Sequence, residues 1–375
     1  MNSFAIATML LTTLAQGITD ESILVGMEAE AHSFSVNEEN LGFRLAFRRQ
    51  NEAGGIHGRM IVERAYPRGN GDRVRQAVDN AVRLVEQDGV FMLVNFGGPA
   101  AVDIGRYAME RDIPYLFPHT ALLAVDGDRH VFTSFPRYDG ESRTMLRYVV
   151  EQRGARRIGV VYAPNAYGEY FLARTKALAE AFGYTFAGGQ ALPLDPADAT
   201  GALRALRDGA ADVLVMALYP AGARRVIEAK AALGWDVRLV SSGPLTDEQY
   251  LAVEGGHADG TVGLCHYPDP DASEAPGVVA YRARMARYHP GHPLNRYSLY
   301  GYVFGNLIVE GLLRAGPALD AEVFLDAMES IRGWDSGGIL PPVSFAADDH
   351  HAQTAGFICE LQQGRFRALT GWIEP

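Results

Sequence analysis

Only two of the 375 residues are cysteine, Cys265 and Cys359, and no Cys/His spacing of the kind that holds zinc occurs, which excludes a zinc-built module. Phosphate-cradling glycine motifs are missing as well. There is no Gly-x-x-x-x-Gly-Lys-Ser/Thr loop, and Gly26-Met27-Glu28-Ala29-Glu30, after the first apolar run, does not supply the Gly-x-Gly-x-x-Gly of a dinucleotide site. A Gly-x-Ser-x-Gly nucleophile elbow is also absent. Positive charge is scarce. With 34 Lys and Arg against 45 Asp and Glu the net charge is −11, which opposes attraction to a phosphate backbone and excludes nucleic acid as a partner. Beyond the first residues no apolar run approaches the ~20 residues of a membrane-spanning helix. Low-complexity linkers and short-period repeats do not occur.

What remains is material for a large core. Hydrophobic residues make up 48% of the chain and charged residues 21%, and the length exceeds the ~250 to 300 residues at which one core stops growing, so two domains are expected. Residues 1–17 carry no charge and have an apolar centre over residues 4–14, followed by Ala15-Gln16-Gly17. This resembles a secretory signal with a small residue for cleavage, although Lys or Arg near Met1 is lacking. Export to the periplasm is the expectation. In that compartment Cys265 and Cys359, both in strand-like segments, either pair or stay as two buried thiols.

Strand and helix signals alternate along the whole chain, which implies an α/β fold of parallel sheets covered by helices on both faces. Val74, Ala77, Val78, Ala81, Val82 and Val85 recur at helical spacing and draw one apolar stripe. Strands are expected at residues 23–27, 59–64, 90–94 and 114–117, and the pattern restarts with 158–162, 213–218 and 237–241. From Gly277 two further helices follow without strands of their own, one over residues 297–314 with Tyr300, Phe304, Leu307 and Ile308 inward. They are expected to return to the first sheet, while strands at 356–361 and 365–369 close the second.

The string Asn51-Glu52-Ala53-Gly54-Gly55-Ile56-His57-Gly58 ends a helix, turns through paired glycines and re-enters a strand. With the apolar run before it, and Tyr66-Pro67 and a long helix after it, it resembles the type I periplasmic solute-binding proteins of the leucine/isoleucine/valine-binding family. The resemblance implies two Rossmann-like lobes with parallel sheets joined by a three-segment hinge. The expected division is a signal-like segment at 1–17, a first lobe of 18–135 plus 270–343, and a second lobe of 136–269 plus 344–375. Crossings fall near residues 133–137, 265–271 and 341–355, with Arg137 pinning the hinge. It further implies a monomer that closes on a small-molecule ligand and presents it to an inner-membrane transporter, without cofactor or covalent chemistry. A ligand-sensing regulator of the same fold is the alternative.

In open parallel sheets ligands sit beyond the carboxyl ends of the strands. That rule selects Glu30, His32 and Phe34 after the first strand, Phe96, Gly97 and Gly98 after the strand ending at Val94, and His119 and Thr120 in the next loop. From the second lobe it selects Asn165, Tyr167, Tyr219, the Ser242-Gly243-Pro244 loop with Leu245, and Tyr267. Tyr138 joins them beside the hinge. The family's amino-acid binders hold a carboxylate with hydroxyl and N–H groups of the first lobe and an ammonium with an acid of the second. Here Gly97-Gly98-Pro99-Ala100 lacks the hydroxyl, which Thr120 retains, and Leu245 stands where the acid is expected. Phe34, Phe96, Tyr138, Tyr167, Tyr219, Tyr267 and Leu245 therefore read as a largely apolar pocket, with Glu30, His119, Thr120 and Asn165 as orienting groups. An aromatic or sterol-like ligand is the expectation, and a branched-chain amino acid or amide the alternative. For any one aromatic, a place in the core is the competing reading, and for Glu30 and His32, plain exposure.

Three motifs invite enzymatic or metal readings. Asp335-Ser336-Gly337-Gly338 matches the nucleophile string of chymotrypsin-like proteases, but those are β-barrels, and a turn explains the glycines. Asp348-Asp349-His350-His351 carries metal-ligand chemistry in what reads as a solvated turn, and His289-Pro290-Gly291-His292 reads as another turn. No enzymatic mechanism is expected.

Overall fold

The computed structural model describes residues 15–29, 33–68, 72–121, 128–247, 251 and 254–374. Two sheets organise them. The first holds β1 (Ser22–Ala29), β2 (Met60–Pro67), β3 (Met92–Val94), β4 (Tyr115–Leu116) and β5 (Val131–Phe132), in the order β2-β1-β3-β4-β5, with every pairing parallel. The second holds β6 (Arg157–Tyr162), β7 (Thr185–Ala191), β8 (Val213–Ala217), β9 (Arg238–Ser241), β10 (Val262–Cys265), β11 (Phe357–Gln362) and β12 (Arg365–Ala368), in the order β12-β11-β10-β9-β8-β6-β7. Only β11 and β12, which arrive last, pair antiparallel.

Helices cover both faces of each sheet because the strands are apolar on both sides. On the first sheet α1 (Phe34–Glu52) and the late helices Arg296–Ala315 and Ala321–Glu329 build one core around Phe43, Tyr300, Phe304 and Phe324. Helices α2 (Arg73–Glu86) and α3 (Ala101–Glu110) build the other. The second sheet is flanked by α4 (Tyr138–Glu151), α5 (Ala166–Ala177) and α6 (Ala179–Phe182) on one face and by α7 (Thr200–Asp208) and α8 (Pro220–Ala232) on the other. Among the described residues three helices, not the two expected, occupy the chain from Pro276 on: Pro276–Tyr288, Arg296–Ala315 and the additional Ala321–Glu329. Strand β7 and helices α4 and α7 are not among the elements expected from the sequence. Gly188 and Gly189 interrupt β7, and α7 spans only 9 residues.

The turn that ends α1 is fixed by chemistry already visible in its sequence. Gly54 and Gly55 take φ of 103° and 75°, and a Cβ at Gly55 would lie 2.2 Å from the Arg59 carbonyl oxygen. Asn51 then clamps the turn to β2: its Nδ2 donates to Ile61 O at 2.9 Å and its Oδ1 accepts from Ile61 N at 2.8 Å. Helix α1 and the helix Arg296–Ala315 also touch backbone to backbone, since a Cβ at Gly301 would fall 1.8 Å from Glu39 O. That approach carries Tyr297, at the start of the later helix, across to the second sheet, where it joins that sheet's core.

Three segments run between the sheets and lie side by side. Thr133 N donates to His350 O at 3.0 Å, Ala352 N donates to Thr133 O at 2.9 Å, and Gln353 Nε2 donates to His266 O at 2.8 Å. Arg137 Nε donates to His351 Nε2 at 3.2 Å, in keeping with a place at the crossings. The expectation of a solvated Asp348-Asp349-His350-His351 turn fails for its histidines. His350 stacks on Phe132 with ring centroids 4.1 Å apart and meets Glu329 at 3.2 Å, because the crossing strand pulls it against β5. No cluster able to hold a metal occurs among the described residues. Ser336 is likewise held in its turn, its Oγ accepting from Leu340 N at 2.7 Å.

Residues 1–14, the bulk of the signal-like segment, lie outside the described residues. Its last residues belong to the folded body instead: Gln16 Nε2 donates to Val85 O and Val90 O, each at 3.2 Å, and Gly17 O accepts from Leu24 N. Cys265 and Cys359 sit on the antiparallel neighbours β10 and β11 with Cα atoms 5.8 Å apart and their sulfurs bonded.

Candidate functional site

The carboxyl ends of β3 and β4 in the first sheet, and of β6, β8, β9 and β10 in the second, turn toward the crossing segments, and the selected loops meet there. Phe135, on the first crossing, is the bridge. Its ring lies 5.3 Å from His119, 6.5 Å from His266 and 5.0 Å from Tyr300, on which it stacks.

On the first lobe, His119 Nδ1 stands 2.8 Å from a carboxylate oxygen of the fully buried Glu39 of α1. Burial raises the Glu39 carboxyl pKa even though His119 pulls the other way. Burial also opposes charge on His119, but the Glu39 carboxylate outweighs it and raises the imidazole. Each group thus holds a proton more readily than it would in water. Gly97 lies against the His119 backbone so closely that a Cβ there would fall 2.2 Å from His119 Cβ. Its N–H donates to Glu28 Oε2 at 2.9 Å, and the Gly98 N–H donates to His119 O at 3.0 Å, so both amides serve the lobe itself. Thr120 is buried beside them.

On the second lobe, Asn165 caps α5, its Oδ1 accepting from Gly168 N at 3.1 Å, and its Nδ2 donates to Tyr219 Oη at 3.2 Å. Tyr138, Tyr167 and Tyr219 form a wall with centroid spacings of 5.4 and 5.7 Å. Burial raises all three hydroxyl pKa values, so each stays a neutral donor. Tyr167 is hydrogen-bonded to Ser242. The Tyr138 hydroxyl faces the Ala121 backbone of the first lobe.

Glu141, in the first turn of α4, is entirely buried. One of its oxygens accepts from Gly243 N at 2.5 Å, and the other faces His266 Nε2 at 3.8 Å. Among the described residues neither that second oxygen nor the imidazole nitrogen has a hydrogen-bond partner, and the same holds for Tyr267 Oη. Burial pushes the Glu141 carboxyl up to about 8, against the Gly243 N–H, and pushes His266 down to about 4. Both are therefore neutral near pH 7.

The structure thus brings His119, Thr120, Tyr138, Asn165, Tyr167, Tyr219 and Tyr267 around one interlobe region. Phe34 begins α1 and meets Tyr297 edge-on, with centroids 6.3 Å apart, where Tyr297 Oη donates to Pro244 O at 2.5 Å and Arg296 N donates to Asp247 Oδ2 at 3.0 Å. Glu30 and His32 lie outside the described residues. Two expectations need correction. Phe96 is buried in the core between the first sheet and helices α2 and α3, and Leu245 in a core of the second sheet, so neither is placed as an open apolar wall. Both follow a strand end but turn back under it, a direction that strand-end position does not specify. Glu39 and Glu141 were missed because they lie on helices, where an acid usually faces solvent, Ser242 was noted only as a loop member, and His266, next to the selected Tyr267, was passed over. An open groove of about 410 Å³ lies elsewhere, on the outer side of α1 and β2, and its charges are paired as Arg44–Glu63 and Arg48–Glu52.

Two parallel-sheet lobes, joined by three segments and meeting at their carboxyl edges over buried polar groups, define a type I ligand-binding fold. The model for the family described as periplasmic binding protein matches residues 33–365, and the chain belongs to that family. A relative named Leu/Ile/Val-binding protein homolog 3, from Brucella melitensis, is 22% identical over 281 residues, 74% of each chain. Among solved structures, a fatty acid ABC transporter substrate-binding protein from Thermomonospora curvata superposes with a TM-score of 0.84 at 19% identity, over 97% of this chain and 95% of that one. A branched-chain amino acid ABC transporter protein from Thermus thermophilus with bound valine gives 0.83 at 15% identity, over 96% and 98%. These two likenesses bear on the fold. The chain is a solute-binding protein of the leucine/isoleucine/valine-binding type, and its relatives of known role are binding proteins, not enzymes.

Proposed function

We propose that this protein is exported, captures a small solute between its lobes and delivers it to a membrane transporter, and that the solute is an amino acid or close relative bearing an ammonium and a carboxylate. The observation that carries the reading is the set of buried polar atoms without partners at the lobe junction: Glu141 Oε2, His266 Nε2 and Tyr267 Oη. An apolar ligand would leave them buried and unsatisfied, at about 1 to 3 kcal/mol each, whereas a zwitterion satisfies them. The aromatic or sterol-like ligand loses support for the same reason, and because Phe96 and Leu245 belong to cores. The names of relatives that bind branched-chain amino acids point the same way. Contacts from both lobes would be complete only in the closed form, so ligand shifts the population toward it and the transporter reads the difference. The bonded pair Cys265–Cys359 suits an oxidising compartment.

An amphipathic ligand is the second reading, favoured by the Tyr138–Tyr167–Tyr219 wall and by the partly exposed Phe34. Native mass spectrometry of the purified protein, followed by extraction, separates the two. A co-purifying amino acid supports the first reading, and a fatty or aromatic molecule replaces it. X-ray scattering that shows no compaction at saturating ligand would remove the closing mechanism.

A further inference from the structure

Resting on the amino-acid reading, we propose that Glu141 and His266 form the receptor for the ligand's ammonium group, a task for which the loop after β9 offers only Leu245. The two come from separate elements, α4 and the end of β10, and converge on one point beside Gly243, where an added Cβ would fall 2.3 Å from the His266 ring and 3.2 Å from Glu141 Oε2. Only glycine at that position lets the loop backbone lie directly against the pair. The Gly243 N–H fixes the other carboxylate oxygen, so the free oxygen has one direction to point. A carboxylate oxygen and an imidazole nitrogen 3.8 Å apart are too distant to bond each other, yet both can accept from one –NH3+ group, which has three donors.

Among the described residues the nearby cations are engaged elsewhere: Arg137 Nε donates to His351 Nε2 and Arg296 Nε to Tyr267 O. Asp139, on the same turn of α4, is ion-paired with Arg174 of α5. The other polar groups facing Glu141 are the neutral hydroxyls of Tyr138, Tyr167 and Tyr219, Ser242, and Tyr267 beside His266. The His119–Glu39 pair stands on the far side of Phe135.

Near pH 7 the empty site holds Glu141 as a neutral acid. When an ammonium enters, the carboxyl gives its proton to the buffer and the resulting carboxylate takes the ammonium's hydrogen bonds. The ligand keeps its own proton, His266 accepts as a neutral base, and charge balances with one H+ released. From a carboxyl titrating at about 8, the release at pH 7 is about 0.9 proton per ligand.

The test screens the twenty L-amino acids, 4-methylpentanoic acid and dodecanoic acid by thermal shift. Titration calorimetry of the best binder at pH 7 then follows, in phosphate and in Tris, whose protonation enthalpies differ. The expected result is an amino acid binding with close to one proton released, L-leucine binding far more tightly than its des-amino counterpart 4-methylpentanoic acid, and Glu141→Gln weakening the amino acid about 30-fold or more. The proton count needs only the native chain, so a poorly folded variant does not rescue the proposal. His266→Gln serves as the second variant and should weaken binding while keeping the proton release. An amino acid that binds without proton release, or equally well to Glu141→Gln, overturns the receptor while the amino-acid reading stands. Stabilisation only by the des-amino or fatty acid, or by none of the panel, overturns both.

Discussion

Without ligand, raising the pH from 6.5 to 8 should destabilise the folded chain through Glu141 by about 2 kcal/mol. In the folded protein this carboxyl holds its proton up to about 8, while an unfolded glutamate loses it near 4.5. Between those values the native state binds more protons, so stability falls as pH rises, by about 1.4 kcal/mol per unit. His266 works in the opposite direction. Its imidazole is neutral down to about 4 when folded and titrates near 6.5 when unfolded, so its contribution rises with pH between 4 and 6.5. The two slopes cancel from about 4.5 to 6.5, and Glu141 is left uncompensated from 6.5 to about 8, a span of roughly 1.5 units. The raised His119 imidazole adds to the fall in the same sense. The assay is urea unfolding of protein stripped of ligand by unfolding and refolding, at pH 6.5 and pH 8, for the native chain and for Glu141→Gln. Glutamine keeps the shape and can still accept from Gly243 N–H, but it does not titrate. The variant should lose about 2 kcal/mol less than the native chain over this interval. Equal losses in the two proteins would refute the claim that a buried neutral acid sits at the lobe junction.

Three other perturbations test the frame around the site. Tyr297→Phe deletes the hydroxyl donated to Pro244 O between the lobes and should cost about 1 kcal/mol, visible in urea unfolding, with a larger radius of gyration by X-ray scattering. Replacing both Cys265 and Cys359 with serine opens a crosslink that spans 94 residues, and chain entropy puts the loss at up to about 4 to 5 kcal/mol, measurable as a lower unfolding midpoint that reductant no longer changes. Asn51→Ala removes both hydrogen bonds to Ile61 and should cost about 1 to 3 kcal/mol, with faster amide exchange at the start of β2 as the local readout.

Much of the architecture was legible because its signals are local. The apolar stripe of α2, the continuous strand Arg157–Tyr162 and the Asn51–Gly58 turn depend on neighbours a few residues away, so periodicity and glycine placement suffice to read them. Strand-end position likewise found the loops that carry His119, Asn165, Tyr219 and Tyr267. It did not tell which way each side chain turns: Phe96 and Leu245 fold under their sheets, while Tyr138 and Tyr167 face each other across a helix junction.

Sequence by itself determined the alternation of strands and helices and the restart that gives two mainly parallel sheets, because composition, spacing and period are properties of the chain. Only the tertiary structure decided that Glu39 and His119, 80 residues apart, meet in a hydrogen bond, and that Glu141 lies beneath Gly243, 102 residues further on. Burial set those charges. An acid on the first turn of a helix is solvated unless another element covers it, and the element that covers Glu141 arrives from a distant part of the chain.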